Sequence, residues 1–178
     1  MNMDSINLRL KSIYFLLILS IIFGLNACSY SFTGSSVPPH LKSIAVPTVN
    51  DRSNSGIPSL STYLTNQLIN NFIDDNSLQI AKKGYSDALL ECTITSYSNK
   101  IAAVTNNSNT GNQRQISISV KVVYTDLIKR KKIFERTFSD KRNYSTSASN
   151  QITLIDEKAN EILKKISEDI LLAVISNW

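Results

Sequence analysis

Two groups of residues in this chain are placed to do chemistry. Cys28 closes the run Leu25-Asn26-Ala27-Cys28 behind a long apolar stretch. A small residue directly before such a cysteine is the pattern of a bacterial lipobox, whose cysteine sulfur receives lipid. The second group is Lys129-Arg130-Lys131-Lys132. Adjacent cations of this kind form charge-assisted hydrogen bonds with phosphate, although a charged turn is more often simply solvated. The acidic pairs Asp74-Asp75 and Asp156-Glu157 have the residue types of acid–base catalysis. Both fall at expected helix ends, and the structural role is favoured.

The remaining inventory excludes more than it offers. His40 is the sole histidine and follows Pro38-Pro39. A histidine triad within the chain is therefore excluded, and His40 reads as a partly exposed loop residue. Cys92 alternates with Leu90 and Ile94 and reads as a small buried hydrophobe. With Cys28 committed to lipid, no intramolecular disulfide is expected. No Cys/His set has zinc spacing, and 5 glycines leave little room for a phosphate loop. The expectation is a non-enzymatic protein with no cofactor, no metal and no nucleic-acid partner.

The elements before Cys28 define what the cysteine is for. Arg9 and Lys11 precede an apolar run from Ile13 to Leu25, broken by Tyr14, Ser20 and Gly24. A membrane-spanning helix needs about 20 apolar residues, and this run is shorter. Basic residues, a short apolar core and a small residue at the cut describe a secretory signal. Residues 1–27 are read as a lipoprotein signal peptide and 28–40 as a lipidated tether. Residues 41–178 are read as one domain, a size that a single core supports. Ser29 after the cysteine, rather than Asp, favours the outer membrane in the enterobacterial sorting scheme. The formal net charge of +5 is mildly basic and suits an anionic partner such as a lipid phosphate.

The domain itself reads as α+β. Leu41 to Val49 is a strand that Pro47 ends or marks as an edge, and residues 50–56 are loop by composition. Ile57 to Asp74 has Leu60, Tyr63, Leu64, Leu68 and Phe72 at helical spacing, with Ser61 and Thr65 on the polar side. Leu78-Gln79-Ile80 is a short strand. Asp87 to Ser98 alternates, with Ala88, Leu90, Cys92 and Ile94 on one face and Leu89, Glu91, Thr93 and Thr95 on the other. Ile116 to Thr125 is the clearest strand, and Ile133 to Phe138 returns after the basic turn. Ser139 to Asn150 is a polar segment, and Gln151 to Ile175 the strongest helix, with Ile152, Ile155, Ala159, Ile162, Leu163, Ile166, Ile170 and Val174 in its apolar stripe. The order β-α-β-β-β-β-α predicts a two-layer sandwich: two helices on one face of a mixed, mostly antiparallel sheet of four to five strands.

From Cys28 the chain reads Cys-Ser-Tyr-Ser-Phe-Thr-Gly-Ser-Ser-Val-Pro-Pro-His-Leu-Lys-Ser-Ile-Ala-Val-Pro. This lead-in resembles the start of the lipopolysaccharide-assembly lipoproteins of the LptE family, through Cys28, Tyr30-Ser31-Phe32, Gly34, Pro38 to Leu41 and Ile44 to Pro47. The resemblance implies a non-enzymatic outer-membrane lipoprotein. It would sit as a plug in the LptD-type β-barrel and assist lipopolysaccharide transport. Cys28 carries over as the lipid anchor. Lys129, Arg130, Lys131 and Lys132 are candidate lipopolysaccharide contacts on their charge and hairpin position. The alternative is an accessory lipoprotein of another outer-membrane machine, for secretion or efflux.

Overall fold

The computed structural model describes residues 37–102, 113–146 and 150–176. Cys28, the signal segment and the polar run Asn106 to Asn112, which reads as a hairpin loop by composition, lie outside them. The elements are β1 (Ser43–Ala45), β2 (Asn50–Asp51), α1 (Ser59–Asp75), β3 (Gln79–Ile80), β4 (Ala88–Ile101), β5 (Gln113–Asp126), β6 (Lys131–Ser145) and α2 (Gln151–Ser176). The strands form one sheet in the order β3-β1-β4-β5-β6, with β2 also beside β4. The fold is the expected α+β arrangement of two helices on a mixed sheet, but with six strands. The extra strand is β2, which forms at the start of the segment 50–56 expected as loop, while the expected 41–49 strand is reduced to Ser43–Ala45. Proline has no amide proton for a ladder, and around Pro47 the chain leaves β4 and rejoins it at Asn50, opposite Thr93.

Three parallel pairings set the N-terminal side. β1 lies between β3 and β4, with Ser43 opposite Gln79 and Ile44 opposite Ala88. β4, β5 and β6 form the antiparallel meander. Their inward residues Ala88, Leu90, Ile94, Ile116, Ile118, Val120, Val122 and Tyr124 are all fully buried. Each of the Leu, Ile and Val side chains among them contributes about 1.5–3 kcal/mol through burial. A register shift between Ile94 and Ser96 leaves Thr95 unmatched. An extra residue of this kind inverts the facing of the residues beyond it in the strand. Tyr97 and Asn99 therefore share the side of their partners Ile118 and Ile116. Asn99 is held there by Arg114, whose Nε donates to Oδ1 at 2.9 Å, and by the Tyr144 hydroxyl at 3.0 Å.

The helices cover that face. Leu60, Leu64, Leu68 and Phe72 of α1 are buried, and so are Ala159, Ile162, Leu163, Ile166, Ile170 and Val174 of α2. Ile152 departs from the expected stripe and is 80 % exposed. Asp156-Glu157 falls in the second turn of α2, and the first turn has no acid. Thr65 also departs, being buried rather than on a wet face. Its hydroxyl accepts from the Val49 amide at 2.9 Å and donates to the Ser61 carbonyl at 2.7 Å. Thr65 thus ties α1 to the link between β1 and β2. Asn76, with φ 56°, ends α1 and returns its amide to the Phe72 carbonyl at 3.1 Å, a left-handed cap that asparagine tolerates.

Candidate functional site

The β5–β6 turn and the start of β6 hold the basic run. Arg130 takes φ 52°, the left-handed backbone that lets a short turn close. The turn is braced from inside by Asp126, the last residue of β5. Its Oδ1 accepts the Lys129 amide at 2.8 Å, and its Oδ2 accepts His40 Nε2 at 2.7 Å. Burial works against ionisation of Asp126, yet the bonds from His40 and Lys129 outweigh it and hold the carboxyl below the usual aspartate range. His40 is partly exposed but is not merely a loop residue. It bonds the segment entering the fold to the base of the basic turn, across 86 positions of sequence.

The four cations do not act alike. Lys132 pairs with Glu135, which also takes Lys121 at 2.5 Å. Lys121 first and then Lys132 draw the Glu135 carboxyl down to about 2. Lys129, Arg130 and Lys131 are exposed and form no ion pair among the described residues. Topology adds further cations that sequence spacing does not link to them. The Leu127 amide donates to the Asp87 carbonyl at 2.8 Å, which sets the turn beside the loop 82–86. That loop carries Lys82 and Lys83, and Lys42 lies alongside, since its amide donates to Asp87 Oδ2 at 2.9 Å. The Lys42 amide is the main reason that the Asp87 carboxyl lies below its ordinary range, with the Ser43 hydroxyl and amide assisting. Asp87 and Asp126 are thus spent on the fold, and the surface of this end is cationic.

The outer sheet face is of a different kind. Across β4, β5 and β6 its rows read Thr93-Lys121-Thr137, Ser96-Ser119-Ser139, Ser98-Ser117-Lys141 and Lys100-Gln115-Asn143. Ser139 Oγ donates to Ser119 Oγ at 2.8 Å, and Thr95 Oγ1 to the Ser119 carbonyl at 3.2 Å. Neither helix covers this face. It is a polar face of hydroxyls, amides and charged side chains, as the alternation predicts, except that outward Leu89 is buried and Val123 interrupts it. A groove of about 390 Å³ runs between it and β2, lined by Asn50, Arg52, Glu91, Thr93, Thr95 and Lys121 among others. Cys92 is buried as expected, and desolvation pushes its thiol up to about 12, so it is an inert core residue. Among the described residues no three His, Cys, Asp or Glu side chains converge as a metal site. No helix among them is long and apolar enough to cross a membrane.

A family model for lipopolysaccharide assembly, LptE, matches residues 41–174. The chain belongs to the LptE family. This supports a role in lipopolysaccharide assembly, and it places the basic turn and the hydroxyl-bearing face inside the matched span. No curated protein matches the sequence. Among solved structures, a minor lipoprotein from Acinetobacter baumannii is 14% identical with TM-score 0.53, over 79% of this chain and 95% of its own. A protein from Xanthomonas campestris is 12% identical with TM-score 0.56, over 78% and 90%. A hypothetical protein from Chlamydia trachomatis is 12% identical with TM-score 0.53, over 77% and 99%. These likenesses show a shared fold. LptE family membership suggests an outer-membrane lipoprotein.

Proposed function

We propose that this LptE-family chain is lipidated at Cys28 after removal of residues 1–27 and held at the outer membrane. There it forms a complex with an LptD-type β-barrel as a plug. In this reading residues 28–40 are the tether and 41–178 the plug domain, and the protein assists lipopolysaccharide transport without catalysing a reaction. Lys129, Arg130 and Lys131, with Lys132 shared with Glu135, meet the phosphates of lipopolysaccharide.

The observation that carries the reading is the family match over 41–174. Two features support it. The lumen of a large barrel is polar, and the uncovered Ser/Thr/Gln face is matched to such a wall rather than to an apolar partner. Three exposed cations that form no ion pair among the described residues suit a phosphorylated ligand, since charged hydrogen bonds are about twice as strong as neutral ones.

Affinity capture of the tagged full chain from solubilised membranes tests it. A stoichiometric large outer-membrane barrel of the LptD type is expected. Its absence, with Cys28 still lipidated, refutes the plug role and moves the protein to another envelope machine. Normal lipopolysaccharide binding by a variant with all four cations from Lys129 to Lys132 replaced by Gln refutes the assignment of the turn.

A further inference from the structure

The basic end of the sheet also presents apolar groups that neither the core nor a lipopolysaccharide phosphate contact uses. Tyr85, in the loop before β4, is 86% exposed, and Ile128, at the β5–β6 turn, is 55% exposed. The two loops are joined. The Tyr85 amide donates to the Lys82 carbonyl at 2.8 Å, and the Leu127 amide to the Asp87 carbonyl at 2.8 Å. Around the two apolar tips stand Lys82, Lys83, Lys129, Arg130 and Lys131, all exposed. Lys83 pairs with Glu91 at 3.1 Å. The two carboxylates at the bases of these loops, Asp87 and Asp126, are taken up by bonds from Lys42 and Ser43 and from His40 and the Lys129 amide. An aromatic ring and an aliphatic tip within a collar of cations are the composition of a surface that settles into lipid headgroups. Tyrosine favours that boundary, and each cation near an anionic leaflet adds a favourable increment.

The chain enters the domain at the same end. The Leu41 amide bonds the Pro38 carbonyl at 2.9 Å, and His40 is fixed to Asp126. From Cys28 to Val37 an extended chain reaches about 30 Å. A lipid on Cys28 would therefore keep this end, rather than the one near Ile152, within reach of the bilayer.

We propose that the loops 82–86 and 127–131 form a membrane-docking surface that lies on the phosphates of an anionic phospholipid leaflet, with Tyr85 and Ile128 set among the headgroups. The proposal rests on the reading that this turn meets lipid phosphate. It differs in the ligand, which is a continuous phospholipid surface rather than one glycolipid. Before the domain enters the barrel, and in the absence of lipopolysaccharide, it rests on its own membrane through these loops.

The test places an environment-sensitive fluorophore on full-length protein at Tyr85→Cys, at Ile128→Cys and, as the distant control, at Ile152→Cys. Each is reconstituted into phosphatidylcholine vesicles with and without phosphatidylglycerol. Labels at 85 and 128 are expected to shift to the blue and to be quenched by nitroxide lipids only when phosphatidylglycerol is present, while the label at 152 stays in water. Replacing Lys129, Arg130 and Lys131 by Gln is expected to lower the docked-to-free ratio about five-fold per cation, and high salt to abolish docking. Labels at 85 and 128 that match the control in phosphatidylglycerol vesicles overturn the proposal. Burial of those labels only after lipopolysaccharide is added also overturns it, while leaving the lipopolysaccharide reading intact.

Discussion

Asp126→Ala is the most informative single change. It removes the acceptor for both His40 Nε2 and the Lys129 amide, at 2.7 and 2.8 Å. Hydrogen bonds to a charged partner contribute about 1.5–3 kcal/mol each, and relief of the buried carboxylate returns part of this. The net loss is then about 3 kcal/mol, or about 10 °C in Tm for a domain of this size. His40→Ala removes one of the two bonds and is expected to cost about 1.5 kcal/mol. The double variant should then show a coupling of about 1.5 kcal/mol. Urea unfolding of the four proteins followed by circular dichroism measures all of these quantities. The pH dependence has a definite sign. The folded Asp126 carboxyl lies below its unfolded value, which is near 3.9. Its contribution is therefore complete above about pH 5 and fades as the pH falls through 4 and below. The gap between wild type and Asp126→Ala should close over that window. A gap under about 0.5 kcal/mol at pH 7, or one unchanged down to pH 3, refutes the brace.

Thr65→Val leaves the buried Val49 amide without its acceptor and should cost about 1–3 kcal/mol. Thr65→Ser keeps the bond and should cost much less, which the same unfolding assay resolves. Phe72→Ala empties a fully buried site in α1 and is expected to lose about 3–5 kcal/mol; a loss under about 1 kcal/mol would mean that α1 is not docked as described. Cys92 should resist a maleimide at neutral pH until the fold opens, since its thiol is desolvated. Rapid labelling at Cys92 in the native protein, located by peptide mass spectrometry, contradicts the packing.

The parts of the fold that the sequence makes legible are those where one face is apolar and the other wet. Ile116 to Val122 alternates without a break, and β5 forms there as that pattern requires, with Val123 as the one apolar residue at an outward position of this strand. β6 is longer than its apolar pattern because its second half is satisfied by charge. Arg142 pairs with Asp140 at 2.7 Å and approaches Glu161 of α2 at 3.8 Å, so Ser139 to Ser145 pairs as a strand without looking like one. The shift at Thr95 hides the inward facing of Tyr97 and Asn99, because alternation counted from Ala88 gives the wrong parity. At the candidate site, the run from Lys129 to Lys132 is visible as composition. The bond from His40 to Asp126 and the approach of Lys42, Lys82 and Lys83 depend on pairings between distant segments, and no local pattern encodes them.

The insertion of β1 between β3 and β4 has a mechanical consequence. A tensile load applied through the N-terminal lead-in meets the domain at His40 and Ser43, not at a free end of the meander. The His40–Asp126 bond and the three bonds that Asp87 accepts from Lys42 and Ser43 lie first in the line of pull. They must fail before β1 is drawn from between its neighbours. Because β1 is paired on both sides, a pull along its axis loads the two ladders together. The segment entering at His40 is thus clamped to the base of the turn carrying Lys129, Arg130 and Lys131, and a pull on that segment would be felt at the turn.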